Sequence, residues 1–161
     1  FKDKNEIYIP SAWDNKHIIS LTGGFKFKKD WELGLKFRFS GGSPYTPYDT
    51  LNSSYSYIWD VNSFGVFDYN QLNGLRLKSN HGLDIRIDKK WYWKKVTLNI
   101  YLDIQNLYNF QTETPPSLIA VRNTDGSLQT ITGSNPERYN LKYIDNTAGT
   151  VLPSIGLQFE F

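Results

Sequence analysis

Cysteine and methionine are both absent from the 161 residues of this chain. Without cysteine there can be no disulfide, no thiolate metal ligand and no cysteine nucleophile within these residues. Long apolar runs are missing too, since no stretch approaches the roughly 20 consecutive apolar residues of a transmembrane helix, and the mean hydropathy is -0.50. These absences exclude helical membrane spans. They do not exclude a β-barrel, in which only every second residue of a strand meets lipid.

Charge and the first residues give two further exclusions. The formal net charge of +2 is too small for a nucleic-acid partner, and no basic stripe with interleaved aromatic residues is present. Residues 1–10 include Lys2, Asp3, Lys4 and Glu6, which excludes a signal peptide. We expect the chain to be a piece of a longer protein.

Aromatic residues, in contrast, are abundant and make up 16% of the chain. Five segments alternate between apolar and polar residues, as strands with two different faces do. The segments are residues 18–28, 31–40, 82–91, 95–105 and 151–161. In the third segment only Lys89 breaks the alternation. The polar face carries full charges, and the side chains predicted to line a water-filled lumen are Glu32, Lys36, Arg38, Asp84, Arg86, Asp88, Asp103 and Glu160.

Segment length and loop length favour a membrane-spanning barrel. Each segment has about 10 residues, the length that a tilted strand needs to cross the hydrocarbon layer. Short connections at residues 29–30 and 92–94 alternate with long ones at residues 41–80 and 106–150, as periplasmic turns alternate with extracellular loops in outer-membrane barrels. This topology places the C-terminus in the periplasm. It also gathers Phe27, Trp31, Trp91, Tyr92 and Trp93 at one rim as an aromatic belt.

Five strands cannot close a barrel with a polar lumen, and an open edge in lipid leaves backbone groups unpaired. We therefore expect an all-β fold in which residues 1–161 form the C-terminal portion of a larger antiparallel transmembrane barrel: five membrane strands plus a loop hairpin. The remaining strands are expected from a preceding segment or from another chain.

The two long loops carry the candidate ligand residues. The first is dense in rings, and Tyr45, Tyr48, Tyr57 and Trp59 could stack on a flat ligand or simply pack on one another. The second is predicted to form a β-hairpin from residues 118–122 and 127–132 around the turn at residues 123–126.

Catalytic patterns are not found. The only imidazoles are His17 and His81, each at the outer end of a predicted strand, and no catalytic triad or zinc or calcium spacing accompanies them. No helix is expected, so no glycine-rich phosphate loop can precede one. We predict no enzyme activity, no cofactor and no metal site.

The last eight residues match the terminal assembly pattern of outer-membrane barrels, with Ser154, Gly156, Phe159 and Phe161 at the defining positions. An edge strand of this kind can pair with an assembly machine by β-augmentation.

These features, in this order, resemble the C-terminal barrel region of a TonB-dependent outer-membrane receptor of the kind found in Bacteroidota. The stretches that carry the resemblance are residues 14–17, 21–25, 38–47, 83–89, 102–109 and 152–156, which read DNKH, LTGGF, RFSGGSPYTP, LDIRIDK, LDIQNLYN and LPSIG. The resemblance implies a 22-stranded barrel with an N-terminal plug. It implies no individual substrate residue, because ligand contacts differ between receptors.

Energy-coupled uptake of a bulky solute, such as a metal chelate, glycan or peptide, is the function that this resemblance implies. The implied partners are outer-membrane lipid, the remainder of the receptor, the TonB complex through the plug, the barrel-assembly machinery and a surface lipoprotein. Two alternatives stay open: a passive porin or adhesin barrel, and a soluble β-barrel that binds small ligands in an apolar interior.

Overall fold

The computed structural model describes residues 8–161, so residues 1–7, whose charges bear on the signal-peptide question, lie outside the described part. The fold is all-β with antiparallel sheets, as predicted. Its elements are β1 (Ile18–Phe27), β2 (Trp31–Ser40), β3 (Pro44–Tyr45), α1 (Thr50–Ser54), α2 (Ser56–Asn62), a 3-10 turn (Tyr69–Gln71), β4 (Leu75–Arg76), β5 (Asn80–Tyr92), β6 (Thr97–Gln105), β7 (Thr112–Ala120), β8 (Leu141–Ala148) and β9 (Leu152–Glu160).

Two compact units share these elements. The sheet unit comprises Asn15–Gly42, Lys78–Thr112 and Thr147–Phe161, and the loop unit comprises Ser43–Leu77 and Glu113–Asn146 together with residues 8–14. No helix in the described residues is long and apolar enough to cross a membrane.

The sheet unit contains the five predicted strands in one antiparallel sheet of order β1-β2-β5-β6-β9. Each strand matches its alternating segment within three residues at either end, because ten residues of strict two-residue periodicity leave little ambiguity about strand type. The sheet is open: in the described residues, the outer edges of β1 and β9 pair with no other strand.

The register keeps the two kinds of face apart. Directly paired residues project to the same face of an antiparallel sheet, and one row runs Phe25, Leu33, Ile87, Leu102 and Ile155 across all five strands. The neighbouring rows on the other face carry the charges. A slip of one residue would exchange the faces, so the apolar alternation fixes the register.

Short turns close one end of the sheet, which we call the turn end. Residues 28–30 join β1 to β2 with Lys29 and Asp30 in the left-handed region, at φ of 62° and 60°. The amide of Lys90 donates to the Asp30 carbonyl at 3.0 Å. Residues 93–96 join β5 to β6, where the amide of Trp93 donates to the Val96 carbonyl at 2.9 Å.

Asn106 organises the opposite end, which we call the loop end. Its φ of 52° ends β6, and its amide donates to Asp84 Oδ1 at 3.0 Å. Its side-chain nitrogen donates to the carbonyls of Phe110 and Thr150, at 3.0 and 3.3 Å, while its Oδ1 accepts from the Phe110 amide at 2.8 Å. One side chain therefore ties together both ends of the second long loop.

The loop unit corrects the expectation that the chain has no helix. Asp49 caps α1, since its Oδ1 accepts from the Asn52 amide at 2.9 Å, and α2 ends at Ser63 in the left-handed region. Both helices are shorter than two full turns, too short to show helical periodicity in the sequence. They pack around Ser53, which is fully buried and accepts from the Val66 amide through its hydroxyl at 2.9 Å.

The predicted hairpin in the second loop has its turn but a different partner strand. The turn at residues 123–126 forms, with the Gly126 amide bonded to the Asn123 carbonyl at 3.0 Å. However, β7 pairs with β8, and residues 127–132 contribute only isolated bridges. Pro115 and Pro116 lie inside β7. A strand with one paired side tolerates proline on its open side.

Candidate functional site

The charged face of the sheet brings together all eight side chains predicted to share it. Arg38 donates to Asp84 on the neighbouring strand at 2.8 Å. Arg86 donates through two nitrogens to the two oxygens of the Asp88 carboxylate, each at 2.9 Å. Asn99 donates to the same carboxylate at 2.9 Å. Opposite charges on adjacent strands thus neutralise one another across the face.

Near the turn end the same face forms a concave polar basin. Glu32 accepts from Lys26 and from Lys90, both at 3.1 Å. A cavity of about 380 Å³ opens beside these groups, and its lining is polar from one side to the other: Glu32, Arg86, Asp88, Lys90, Tyr92, Thr97, Asn99, Gln158 and Glu160.

Burial in this sheet is inverted relative to a water-soluble protein. The only two buried side chains in its five strands are polar, Asp88 at 8% and Asn99 at 7% exposure. Large apolar side chains of the opposite face stand open, with Ile155 at 78% and Leu157 at 62% exposure. Large exposed apolar patches mark interaction surfaces, and this apolar face is such a patch.

The four residues of the predicted assembly pattern occupy different settings. Ser154 and Gly156 lie on the charged face, paired with Asp103 and Tyr101 of β6, whereas Phe159 pairs with Leu98 on the apolar face. Phe161 lies beyond the end of β9 and is exposed.

Gly156 has a packing role that sequence inspection does not reveal. A Cβ placed on Gly156 would overlap the outer atoms of the Tyr101 ring. The same ring lies under the guanidinium of Arg86, whose central carbon is 3.9 Å from the ring centroid. Gly156, Tyr101 and Arg86 therefore form one stack across β9, β6 and β5.

The loop unit contains a pocket that includes two of the four predicted ligand aromatics. Tyr45 and Tyr48 line a cavity of about 290 Å³ together with Thr46, Pro47, Phe67, Leu75, Pro115, Pro116 and Tyr143. Tyr48 stacks on Phe67 with ring centroids 4.8 Å apart and 13° between the ring planes. No lining residue is charged.

Tyr143 completes this pocket from the second long loop. Burial raises the pKa of the Tyr143 phenol, and the neighbouring Tyr45 phenol adds to the rise, so the hydroxyl stays protonated and neutral at physiological pH. Sequence inspection did not select Tyr143 or the two prolines because they are distant along the chain from Tyr45 and Tyr48, whereas Phe67 belongs to the same ring-rich loop. The mixture of rings and phenol hydroxyls suits an uncharged ligand with an apolar face and hydroxyl or amide groups.

The other two predicted aromatics lie outside this pocket. Tyr57 stacks on Tyr55 with centroids 5.4 Å apart and is exposed. Trp59 is buried and lines a separate cavity with Leu118 and Asp60. Asp60 accepts from the Tyr139 hydroxyl at 3.1 Å. Trp59 thus holds the loop unit together, which was the alternative interpretation of the ring-rich loop.

The two histidines remain separate. His81 Nδ1 lies 2.6 Å from the Tyr108 hydroxyl, and the centroid of its ring lies 3.9 Å from that of Phe110. His17 directly precedes β1, and its backbone carbonyl accepts from the Gly41 amide at 2.8 Å. Across residues 8–161 no three histidine, cysteine or acidic side chains converge on a position that could hold a metal ion.

Comparisons with protein-family models, with curated proteins and with solved structures gave no match. Function is therefore inferred from the residues and contacts of this chain.

Proposed function

We propose that this chain is a section of the wall of an outer-membrane β-barrel, the C-terminal portion of a TonB-dependent receptor that takes up a bulky solute with energy coupling. The observation that carries the proposal is the inverted burial of the five-stranded sheet. Large apolar side chains are exposed on the apolar face of the sheet, and ion-paired side chains line the polar basin on its charged face.

A lipid environment accounts for both faces at once. Apolar side chains on a strand's outer face are stabilised by acyl chains, and a paired charged face suits a water-filled lumen. A small-ligand barrel in solution requires the opposite arrangement, an apolar interior and a polar outside. The charged basin beside Glu32 and Asp88 supports the membrane assignment over that alternative.

In the proposed orientation the short turns lie on the periplasmic side and the two long loops are extracellular. The short connections at residues 28–30 and 93–96 suit periplasmic turns, and the connections of 30 residues or more suit extracellular loops. Phe161, next to the turn end of β9, then lies on the periplasmic side. The free edge of β9 is available to the assembly machinery by β-augmentation.

The open edges of β1 and β9 imply further strands. Each unpaired backbone group in lipid costs several kcal/mol, so additional strands must complete the wall. The resemblance to TonB-dependent receptors supports their origin in the remainder of one receptor, with a plug that contacts the TonB complex. It also supports a surface lipoprotein as a further partner.

The uncharged pocket at Tyr45, Tyr48 and Tyr143 is the proposed solute contact. With about 290 Å³ it lies at the small end of the ligand-pocket range of roughly 300–1,000 Å³, so it would hold one ring or side chain of a larger solute. The neutral lining favours a glycan or peptide over an anionic metal chelate, which would require cationic partners.

Labelling of single cysteines tests the membrane assignment, because these residues contain no native cysteine. In isolated membranes a water-soluble maleimide should label Lys36→Cys but not the adjacent Leu35→Cys, since the two side chains project to opposite faces. In intact cells it should label Thr124→Cys in the second loop, whereas Lys94→Cys should react only after the outer membrane is permeabilised. Equal labelling of Leu35→Cys and Lys36→Cys would overturn the lipid-facing assignment.

Uptake measurements test the transport role separately. Cells that produce the complete protein are offered a neutral oligosaccharide, a short peptide and a ferric chelate, with and without a protonophore. We expect accumulation of the oligosaccharide or the peptide that the protonophore abolishes and that Tyr143→Ala weakens. Accumulation unaffected by the protonophore would instead establish a passive pore.

A further inference from the structure

Lys89 is the residue that breaks the alternation of the sequence, and the structure shows how it is accommodated. It pairs with Trp31 on β2 and with Ile100 on β6, so it lies on the apolar face. Across the five described strands it is the only lysine, arginine or carboxylate on that face. A charge at such a position would be costly in lipid unless it reached a polar boundary.

The Lys89 ammonium reaches that boundary between two tryptophan rings. Its Nζ lies 5.8 Å from the ring centroid of Trp31 and 5.2 Å from that of Trp91, within the range of cation–π attraction. It also donates to the carbonyl of Lys29 in the β1–β2 turn. The side chain therefore extends along the apolar face towards the turn end, and its ammonium has three N–H donors in all.

Four further lysines lie in the two short turns at this end of the sheet. Lys28 and Lys29 lie in the first turn, which is bonded to β5 at Lys89 and Lys90. Lys94 and Lys95 lie in the second turn, which follows β5 after Tyr92.

All four turn lysines are exposed. Within the described part of the chain none of them forms an ion pair, and the only acidic residue in either turn is Asp30. The basic residues Lys26 and Lys90 differ, because Glu32 neutralises them on the charged face. We call Lys28, Lys29, Lys89, Lys94 and Lys95 the turn-end lysine cluster.

Aromatic side chains border this cluster on the apolar face. Phe27, Trp31, Trp91 and Trp93 are all exposed near the turn end, whereas Tyr92 lies on the charged face beside the polar basin. Tryptophan and tyrosine at this density occupy the headgroup level of a bilayer. Five lysines at that level provide charge complementarity to a phosphate, and each lysine near an anionic membrane surface contributes roughly 1 kcal/mol.

We propose that the turn-end lysine cluster binds the phosphate of an anionic phospholipid in the leaflet next to the short turns, through the Lys89 ammonium and the exposed lysines of the two turns. This proposal rests on the membrane assignment above. In that orientation the leaflet is the periplasmic one, which commits the site to a phospholipid such as phosphatidylglycerol instead of the lipid A phosphates of the outer leaflet.

Brominated lipids test the site, because bromine quenches tryptophan fluorescence on contact and Trp31, Trp91 and Trp93 lie beside the cluster. The complete protein is reconstituted in phosphatidylcholine vesicles that contain equal mole fractions of either brominated phosphatidylcholine or brominated phosphatidylglycerol. We expect both to quench and the anionic lipid to quench more. The excess should fall as salt is raised, since exposed charges are screened.

Two variants and one control connect the excess quenching to the cluster. Lys89→Gln should lower the relative affinity for phosphatidylglycerol about fivefold, the factor that corresponds to the contribution of one lysine. Glutamine at all four turn positions should remove most of the excess and leave about the fivefold contribution of Lys89. Because those side chains are exposed, this variant should fold normally. Lys142→Gln, an exposed lysine of β8 in the loop unit, should have no effect.

Equal quenching by the two brominated lipids would overturn the headgroup site and leave the membrane assignment standing. An absence of quenching by both would overturn both proposals. Stronger competition by lipid A than by phosphatidylglycerol would overturn the commitment to the periplasmic leaflet.

Discussion

The stack of Gly156, Tyr101 and Arg86 predicts an unusually large effect of a single methyl group. In Gly156→Ala the new Cβ would occupy the space of the outer ring atoms of Tyr101. The ring would have to swing away from β9, and in doing so it would leave the Arg86 guanidinium that now lies 3.9 Å from its centroid.

The expected cost follows from these two losses. Overpacking costs typically 1–3 kcal/mol, and the lower part of that range, about 1–1.5 kcal/mol, applies because the far end of a ring can move. A cation–π contact at a partly exposed site contributes roughly 0.5–1 kcal/mol. We expect Gly156→Ala to lower the free energy of unfolding by about 1.5–2.5 kcal/mol in total.

Gly82 offers a matched control on the same charged face. A Cβ at Gly82 meets no atom within 4 Å, so Gly82→Ala should be neutral or slightly stabilising through the unfolded chain. The assay is urea unfolding of the complete protein refolded in detergent micelles, followed by tryptophan fluorescence. The Tyr101→Ala variant and the double variant complete a thermodynamic cycle.

Removal of the ring should relieve most of the strain. The coupling energy between Gly156→Ala and Tyr101→Ala should reach about 0.5–3 kcal/mol, the range for residues in contact. If Gly156→Ala costs no more than Gly82→Ala, or if the two substitutions simply add, the stack does not constrain β9 and the reasoning fails.

Two further predictions concern the faces of the sheet and the second loop. Leu35→Arg on the apolar face should cost about 2–4 kcal/mol in a bilayer, whereas Lys36→Gln on the charged face should leave the free energy of unfolding nearly unchanged, as measured by urea titration in lipid vesicles. Hydrogen bonds from Ser127 lower the pKa of Asp125 below the ordinary value of 3.8. The stabilisation of this turn by the Asp125 carboxylate should therefore be fully present above pH 3.8 and be lost as the pH falls through the lowered pKa. Ser127→Ala should move the titration of the Asp125 carboxyl, followed by NMR, upward towards 3.8.

The five-stranded sheet could be predicted from the sequence because its information is local and repeated. In β2 the alternation of Trp31, Leu33, Leu35, Phe37 and Phe39 with polar residues matches the strand to the residue. Two-residue turns with charged residues identify the short connections, and antiparallel pairing then follows from chain continuity. The ion pairs between strands follow from the register as well, as Arg38 and Asp84 show.

The loop unit could not be predicted in the same way. The partner of β7 is a strand about 20 residues further along, and its sequence, LKYIDNTA, alternates too weakly to identify it. The helices are held by single contacts such as the Asp49 cap, which short polar motifs cannot distinguish from turns. Tyr143 reaches the pocket beside Tyr48 only because β8 pairs with β7. The density of aromatic residues in the first loop therefore identified Tyr45 and Tyr48 but not the lining residues from the second loop.

Lys89 shows how an exception in a pattern can be informative. Counted only as a mismatch, it weakens the alternation of β5. In the structure its ammonium between Trp31 and Trp91 marks where the apolar face ends, which the sequence pattern alone did not reveal.

The bonds made by Asn106 have a consequence for how the second loop can vary. Phe110 and Thr150, forty residues apart, both form hydrogen bonds with the Asn106 side chain. The loop between them therefore leaves the sheet and returns to it at one position. Lengthening such an excursion costs little, since loop-closure entropy grows only slowly with length. An epitope or a foreign binding loop could therefore be grafted at Thr124 without disturbing the five-stranded sheet, and the chain can acquire new surface specificity while that sheet stays constant.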